Sequence, residues 1–286
     1  MEKLFAFGFG YSAKALAVRL ASQGWSIAGT ARTAEKRDAL RAQGFEAELF
    51  HGDAQSTNID RMLEGTTHLL HSIPPQADGD PVLNCYGDAL AGLGTLSWVG
   101  YLSTVGVYGD QQGRWVDETV PVNPNSARTE ARVAAENAWL AFGRENGIAV
   151  EIFRLAGIYG PGRCAFDKLA AGTARRIVKK GQVFSRIHVD DIATILEASI
   201  ARPRPGAIYN VADDEPAPPG DIIAYAADLM GIEPPPEIDY ETADLSPMAR
   251  SFYEGNRKIA NTRIKSELGV KLRYRSFREG LAALKP

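Results

Sequence analysis

Residues 3–32 read "KLFAFGFGYSAKALAVRLASQGWSIAGTAR", and the reading of this stretch decides the fold. A short apolar run of strand length ends at Gly8, Gly10 and Ala13, spaced G-x-G-x-x-A, and a helical pattern follows from about Ser12 to Gln23. Each position has a physical task. Gly8 permits a tight turn, Gly10 lets the backbone approach a pyrophosphate, and Ala13 lets helix and strand pack closely. The amides near Tyr11 and Ser12 open the helix and face phosphate oxygens. Strand, glycine turn and helix in that order predict a dinucleotide site.

The next strand, "WSIAGT", leads into "GTARTAEKR". A site that prefers NAD places Asp or Glu here to bond the ribose hydroxyls. Thr30, Arg32, Thr33 and Lys36 instead offer donors and positive charge, with no carboxylate before Glu35. That arrangement suits a 2′-phosphate, so NADP is the expected cofactor and NAD the alternative. Asp53, in "HGDAQS" after the third strand, is expected near the adenine edge. Ser72 and Pro74, in "HSIPP" after the fourth, are expected near the pyrophosphate or ribose.

Beyond this point, apolar runs of strand length continue to alternate with helical patterns, the mark of βαβ units and a parallel sheet. Strands are expected in "EAELFHGD", "THLLHSI", "SWVGYLST", "IAVEIFRLAGIYG" and "GAIYNVAD". Helices are expected near 34–42, 58–64 and 81–91, with a long one from Ser126 to Glu145. Asn125 or Ser126 caps the start of that helix, and Gly147 lies just past its end. The remainder is proline-rich around "DIIAYAADLM", and Ser276 to Glu279 has capping-box spacing before a last helix. The plan is an α/β fold: a Rossmann-type doubly wound parallel sheet with a small, mostly α C-terminal cap. The dinucleotide-binding domain is expected in 1–160 and 187–214, and the discontinuous cap in 161–186 and 215–286.

Charge and cysteine content exclude several classes. A net charge of −3 gives no reason to expect nucleic acid or an anionic membrane as partner. Two cysteines, Cys85 and Cys164, make no disulfide framework and suit a reducing cytosol, so a cytoplasmic location is expected. The opening "MEKLFAF" is too short for a signal core or a membrane span. The four histidines, at 51, 68, 71 and 188, show no ligand spacing, so no metal is expected. His68 and His71 share a strand at odd separation and so face opposite sides of it.

With these motifs in place, the chain resembles an extended short-chain dehydrogenase/reductase of the NAD-dependent epimerase/dehydratase kind. "GFGYSA", "YLSTVGVYGD", "FRLAGIYGPGR", "RIHVDDIATILEASI", "IYNVADDEP" and "NTRIKSELG" occur in the family's order. The resemblance implies hydride transfer to or from nicotinamide on a substrate covered by the cap. It also implies a Ser/Thr, a tyrosine acid/base and a lysine four residues later. Thr104 falls at the Ser/Thr position, with Ser103 beside it. The family pattern "P-x-S-P-Y-G-x-S-K-x-x-x-E" laid on "PNSARTEARVAAE" puts Arg128 at the tyrosine and Arg132 at the lysine, and Glu136 keeps the glutamate. Relatives often pair through the long helix, which implies a possible homodimer.

Arginine cannot serve as that acid/base. Deprotonating it at pH 7 costs roughly 7 kcal/mol, and a positioned acid/base is worth about 10²- to 10⁴-fold in rate. Arg128 near a substrate would instead clamp a carboxylate or phosphate. Thr104, Arg128 and Arg132 are thus the candidate catalytic residues, with Tyr108, Tyr159, Arg186 and His188 as candidate substrate contacts. Tyr108, Tyr159 or His188 could supply the missing proton, or water could supply it while Arg128 steadies an oxyanion. A plainer reading makes Arg132 and Glu136 an exposed i,i+4 ion pair, and His188 a packed residue. Two functions stay open: a reductase or epimerase acting on a small anionic substrate, and a non-catalytic, dinucleotide-responsive regulatory protein.

Overall fold

The computed structural model describes residues 1–286. Along the chain, β1 (Lys3–Phe7), α1 (Tyr11–Ser22), β2 (Ser26–Ala31), α2 (Ala34–Arg41) and β3 (Glu46–Leu49) come first. Then follow α3 (Thr57–Leu63), β4 (His68–His71), α4 (Pro81–Ala91), β5 (Trp98–Thr104) and β6 (Trp115–Val116). The middle holds α5 (Ala127–Asn146), β7 (Ala149–Leu155), β8 (Gly157–Tyr159), α6 (Ala165–Ala170), β9 (Arg176–Val178) and β10 (Arg186–His188). The rest is α7 (Val189–Ala201), β11 (Ile208–Val211), α8 (Pro219–Met230), β12 (Glu237–Asp239), α9 (Pro247–Ser251), β13 (Lys258–Ile259), α10 (Thr262–Leu268) and α11 (Phe277–Leu284).

Seven strands form one parallel sheet in the order β11-β7-β5-β4-β1-β2-β3. The order reverses at β1, between β4 and β2. An open sheet of this kind offers its crevice at that point, outside the carboxyl ends of the strands. Leu4, Phe5, Ala6 and Phe7 are all fully buried, which explains why β1 reads as a continuous apolar run rather than an alternating one. Phe5, Phe7, Tyr86, Tyr101, Trp139 and Ile152 belong to one core cluster beneath α4 and α5. Each such side chain contributes roughly 1.5–3 kcal/mol by leaving water.

The ends of α5 follow from its sequence. Ser126 accepts from the Thr129 amide while the Thr129 hydroxyl accepts from the Ser126 amide, a reciprocal cap. Gly147 closes the helix at φ 66°, a left-handed conformation that favours glycine. His68 and His71 do face opposite sides of β4. His68 lies 4.8 Å from the Trp25 ring, whereas His71 lies 5.1 Å from Tyr101 and 5.3 Å from Trp139.

The chain divides into two compact units, 1–104 with 126–154 and 192–209, and 105–125 with 155–191 and 210–286. Segments 105–125, 155–160, 187–191 and 210–214, read from sequence with the dinucleotide-binding domain, are grouped with the second unit. That unit has three two-stranded parallel ladders, β6 with β13, β8 with β10 and β9 with β12. Its core gathers Tyr159, Phe166, Ile223, Phe277 and Leu281. Asp191, in the first turn of α7, is fully buried and accepts from the Arg273 and Tyr274 amides at 2.6 and 3.0 Å. Ser276 caps α11, but the Glu279 carboxylate turns to the Arg275 amide at 2.7 Å. No helix is long and apolar enough to cross a membrane.

Candidate active site

The glycine turn lies at the reversal point of the sheet. Gly8 has φ +81°, and a β-carbon there would come within 2.8 Å of Ser72 Oγ and 2.9 Å of Ile73 Cγ1. Its amide donates to Thr30 Oγ1 at 3.0 Å, and the Phe9 amide donates to the Thr30 carbonyl at 2.7 Å. Ser72 Oγ donates to the Gly8 carbonyl at 2.5 Å. Three strand ends therefore shape one turn. Gly10 is different, for a β-carbon there would meet only the Gly8 carbonyl, at 3.8 Å. Gly10 stands at the N-cap of α1 and makes no side-chain cap bond, and Ala13 packs with 1% exposure. An open approach at Gly10 over the first turn of α1 fits a pyrophosphate.

The end of β2 separates the four residues expected at the ribose. Thr30 is buried, with its hydroxyl oxygen accepting from the Gly8 amide, and Thr33 caps α2 by accepting from the Lys36 amide. Arg32 and the Lys36 side chain are exposed, and neither has an ion-pair partner. Arg37, by contrast, is held by Asp38 at 2.8 Å. Asp53 and Pro74 are both exposed, after β3 and β4 respectively.

Around α5 the arginines part company. Arg128 is exposed near the helix start and Thr104 is half-buried at the end of β5. Arg132 is half-buried and donates through Nη1 to the Tyr101 hydroxyl at 2.9 Å and to the Leu102 carbonyl at 3.3 Å. The reading of Arg132 and Glu136 as an exposed ion pair is overturned. Glu136 is 2% exposed, and its partner is Arg154 on β7, with Nη2 to Oε2 at 2.7 Å. The Ser103 hydroxyl donates to the same carboxylate. A buried carboxylate requires a buried cation and further donors, and β5 and β7 supply them.

Sequence reasoning missed Tyr101 and Arg154. Strand alternation puts Tyr101 and Ser103 on one face of β5, which was the available signal for Tyr101. No local pattern points to Arg154. Tyr101 is fully buried, and burial pushes its phenol above the ordinary value. His71 is bonded to Asp80 at 2.8 Å. Burial works to raise the Asp80 carboxyl, yet His71 and the amide of Leu83 hold it below the usual range.

In the second unit, the Tyr108 hydroxyl donates to Asn210 Oδ1 at 2.8 Å and the ring is fully buried. Tyr159 is 7% exposed, with its hydroxyl on the Ser276 carbonyl at 3.3 Å. His188 is 1% exposed, packed 4.2 Å from the Tyr274 ring and 5.2 Å from Tyr159, and burial lowers its pKa. Arg186 donates to the Phe184 and Ala217 carbonyls. Burial lowers its pKa to about 10 and raises that of Asp213 to about 8.

Residues 96–212 match the model of the NAD dependent epimerase/dehydratase family. Protein YeeZ of Escherichia coli strain K12 is 29% identical across 96% of this chain and 97% of its own. A conserved protein of unknown function from Silicibacter pomeroyi is 52% identical, and its structure superposes with a TM-score of 0.90 over 100% of this chain and 98% of that one. DesIV from Streptomyces venezuelae, a dTDP-glucose 4,6-dehydratase solved with NAD bound, is 19% identical and shares the fold, with a TM-score of 0.76 over 98% of this chain and 95% of that one. Residues 96–212 form a domain that matches the NAD dependent epimerase/dehydratase family, and the chain from end to end shares its fold with the solved structures above.

Proposed function

We propose that this protein binds a nicotinamide dinucleotide, NADP in preference to NAD, and acts as a reductase or epimerase on a small anionic substrate. The observation that carries the reading is the open turn at Gly10 together with an unpartnered Arg32 just past the end of β2. Gly8, Gly10, Ser12 and Ala13 would hold the pyrophosphate, and Arg32 with Lys36 the 2′-phosphate. The bound nicotinamide ring supplies or accepts a hydride.

The chain's own residues do the rest. Thr104 offers a hydroxyl to a substrate oxygen. Arg128 and Arg132 set a positive field in which an oxyanion is stabilised without taking a proton from the protein. Tyr108, Tyr159 and His188 are buried, with the two hydroxyls already committed, so water is the proton source this arrangement supports.

A second reading has an observation of its own. The phenol that touches the α5 cation, Tyr101, is fully buried, and burial raises its pKa. That favours a dinucleotide-responsive regulatory protein without turnover. Fluorescence titration with NADPH and NADH, followed by a screen of anionic carbonyl compounds for NADPH oxidation, separates the two. Tight binding with no turnover across the screen selects the regulator, and no binding of either dinucleotide rejects both.

A further inference from the structure

Arg132 is pinned. Nη1 spends its hydrogens on two β5 acceptors, the Tyr101 hydroxyl at 2.9 Å and the Leu102 carbonyl at 3.3 Å. The guanidinium carbon also lies 5.5 Å from the centroid of the Tyr101 ring, within cation–π range. Tyr101 has no freedom to drift. Its ring stands 5.1 Å from His71 and is stacked 6.4 Å from Trp139, and His71 is anchored by Asp80 at 2.8 Å. Asp80 in turn caps α4 through the Val82 and Leu83 amides. A buried aromatic floor thus ends at the helix cation and sets the plane of its guanidinium.

The opposite edge of that plane is unspent. Nε and Nη2 of Arg132 have no acceptor within the protein, and the side chain is only half-buried. These two N–H groups point the same way and match the two oxygens of a carboxylate. The same fold shows this edge at work. Arg154 holds the Glu136 carboxylate through Nε and Nη2, at 3.2 and 2.7 Å.

We propose that the Nε–Nη2 edge of Arg132 seats a planar carboxylate of the substrate, with Tyr101 as the positioning residue that fixes the guanidinium. The inference rests on the dinucleotide-dependent reading above and narrows its anion from any small anion to a carboxylic acid. Ribose hydroxyls and tetrahedral oxyanions are the competing occupants of the edge.

The test uses the full chain saturated with NADPH, with oxamate and acetate as carboxylate probes, acetamide as the neutral isostere of acetate, and sulfate as the tetrahedral anion. Thermal midpoints give apparent affinities. Oxamate and acetate raise the midpoint, acetamide does not, and sulfate protects less than either carboxylate. Arg132→Lys weakens the carboxylates about tenfold or more, because an ammonium lacks the fork, and leaves NADPH affinity as it was. Tyr101→Phe removes only the hydroxyl, so carboxylate affinity falls several-fold and the preference over sulfate narrows. A merely structural Tyr101 would lower the midpoint without touching that preference. Equal protection by sulfate, carboxylate binding unchanged in Arg132→Lys, or NADPH affinity lost in its place overturns the proposal. NADPH binding without any carboxylate effect sinks this inference alone, whereas absence of NADPH binding sinks the reading beneath it.

Discussion

Glu136 on α5 and Arg154 on β7 meet side-on, Nη2 to Oε2 at 2.7 Å, with side chains only 3% and 6% exposed. The Ser103 hydroxyl joins the same carboxylate, so one acid ties the long helix to two central strands. A buried pair of this kind adds little against an apolar replacement, but breaking it strands a charge.

Glu136→Gln is therefore expected to cost about 3–5 kcal/mol of folding stability. Urea unfolding would show this as a lower midpoint with an unchanged slope. A loss below about 1 kcal/mol, the scale of an exposed pair, would mean that water reaches the carboxylate in solution.

The glycine turn makes two opposite forecasts. Gly8→Ala forces a β-carbon onto Ser72 and Ile73 at positive φ and should destabilise the fold. Gly10→Ala meets nothing closer than 3.8 Å at an ordinary φ of −91°. It should leave stability within about 0.5 kcal/mol while weakening NADPH roughly tenfold or more, because the pyrophosphate can no longer approach the backbone. Isothermal titration of Gly10→Ala that returns the wild-type affinity would take the dinucleotide away from this turn.

Arg32 has no partner in the protein, so its removal disturbs no internal contact. Hydrogen bonds to charged groups are worth about 1.5–3 kcal/mol. Arg32→Ala should therefore weaken NADPH by roughly ten- to a hundredfold and NADH little. Parallel losses for both dinucleotides would deny Arg32 the 2′-phosphate.

Glu151 supplies a pH signature. It is fully buried on β7, accepting from Ser199 Oγ and the Arg204 amide, both at 2.6 Å, and burial raises its pKa to about 7. A folded pKa above the unfolded one means the protonated form favours folding. Its contribution is complete below about pH 4.5 and is lost as pH rises through about 7, on the order of 3 kcal/mol in all. Glu151→Gln keeps an oxygen for the Arg204 amide and an amide for Ser199. Its stability should exceed that of the wild type increasingly from pH 5 to pH 8. A constant difference between the two across that range would place the Glu151 carboxyl at an ordinary pKa.

The relation between sequence and structure differs from one feature to the next. The βα alternation, the glycine turn, the Ser126 cap and Gly147 were all legible, since each depends on residues a few positions apart. The placements of Thr30 and Asp191 were not. Thr30 reads as a ribose donor, yet it is buried, and its hydroxyl oxygen accepts from the Gly8 amide 22 residues earlier. Asp191 lies in the first turn of α7, yet its partners are the Arg273 and Tyr274 amides, 82 and 83 residues away.

Local periodicity and turn chemistry determined the sheet, the helices and the place of the cofactor turn, because hydrophobic spacing and backbone freedom act over a single turn or strand. Only the tertiary structure decided which way the arginines of α5 face. Arg132 finds its acceptors 30 and 31 residues back on β5, and Glu136 its cation 18 residues on along β7. Burial of a charge is resolved by whichever donors the packed strands bring within reach, and spacing along the chain does not specify them.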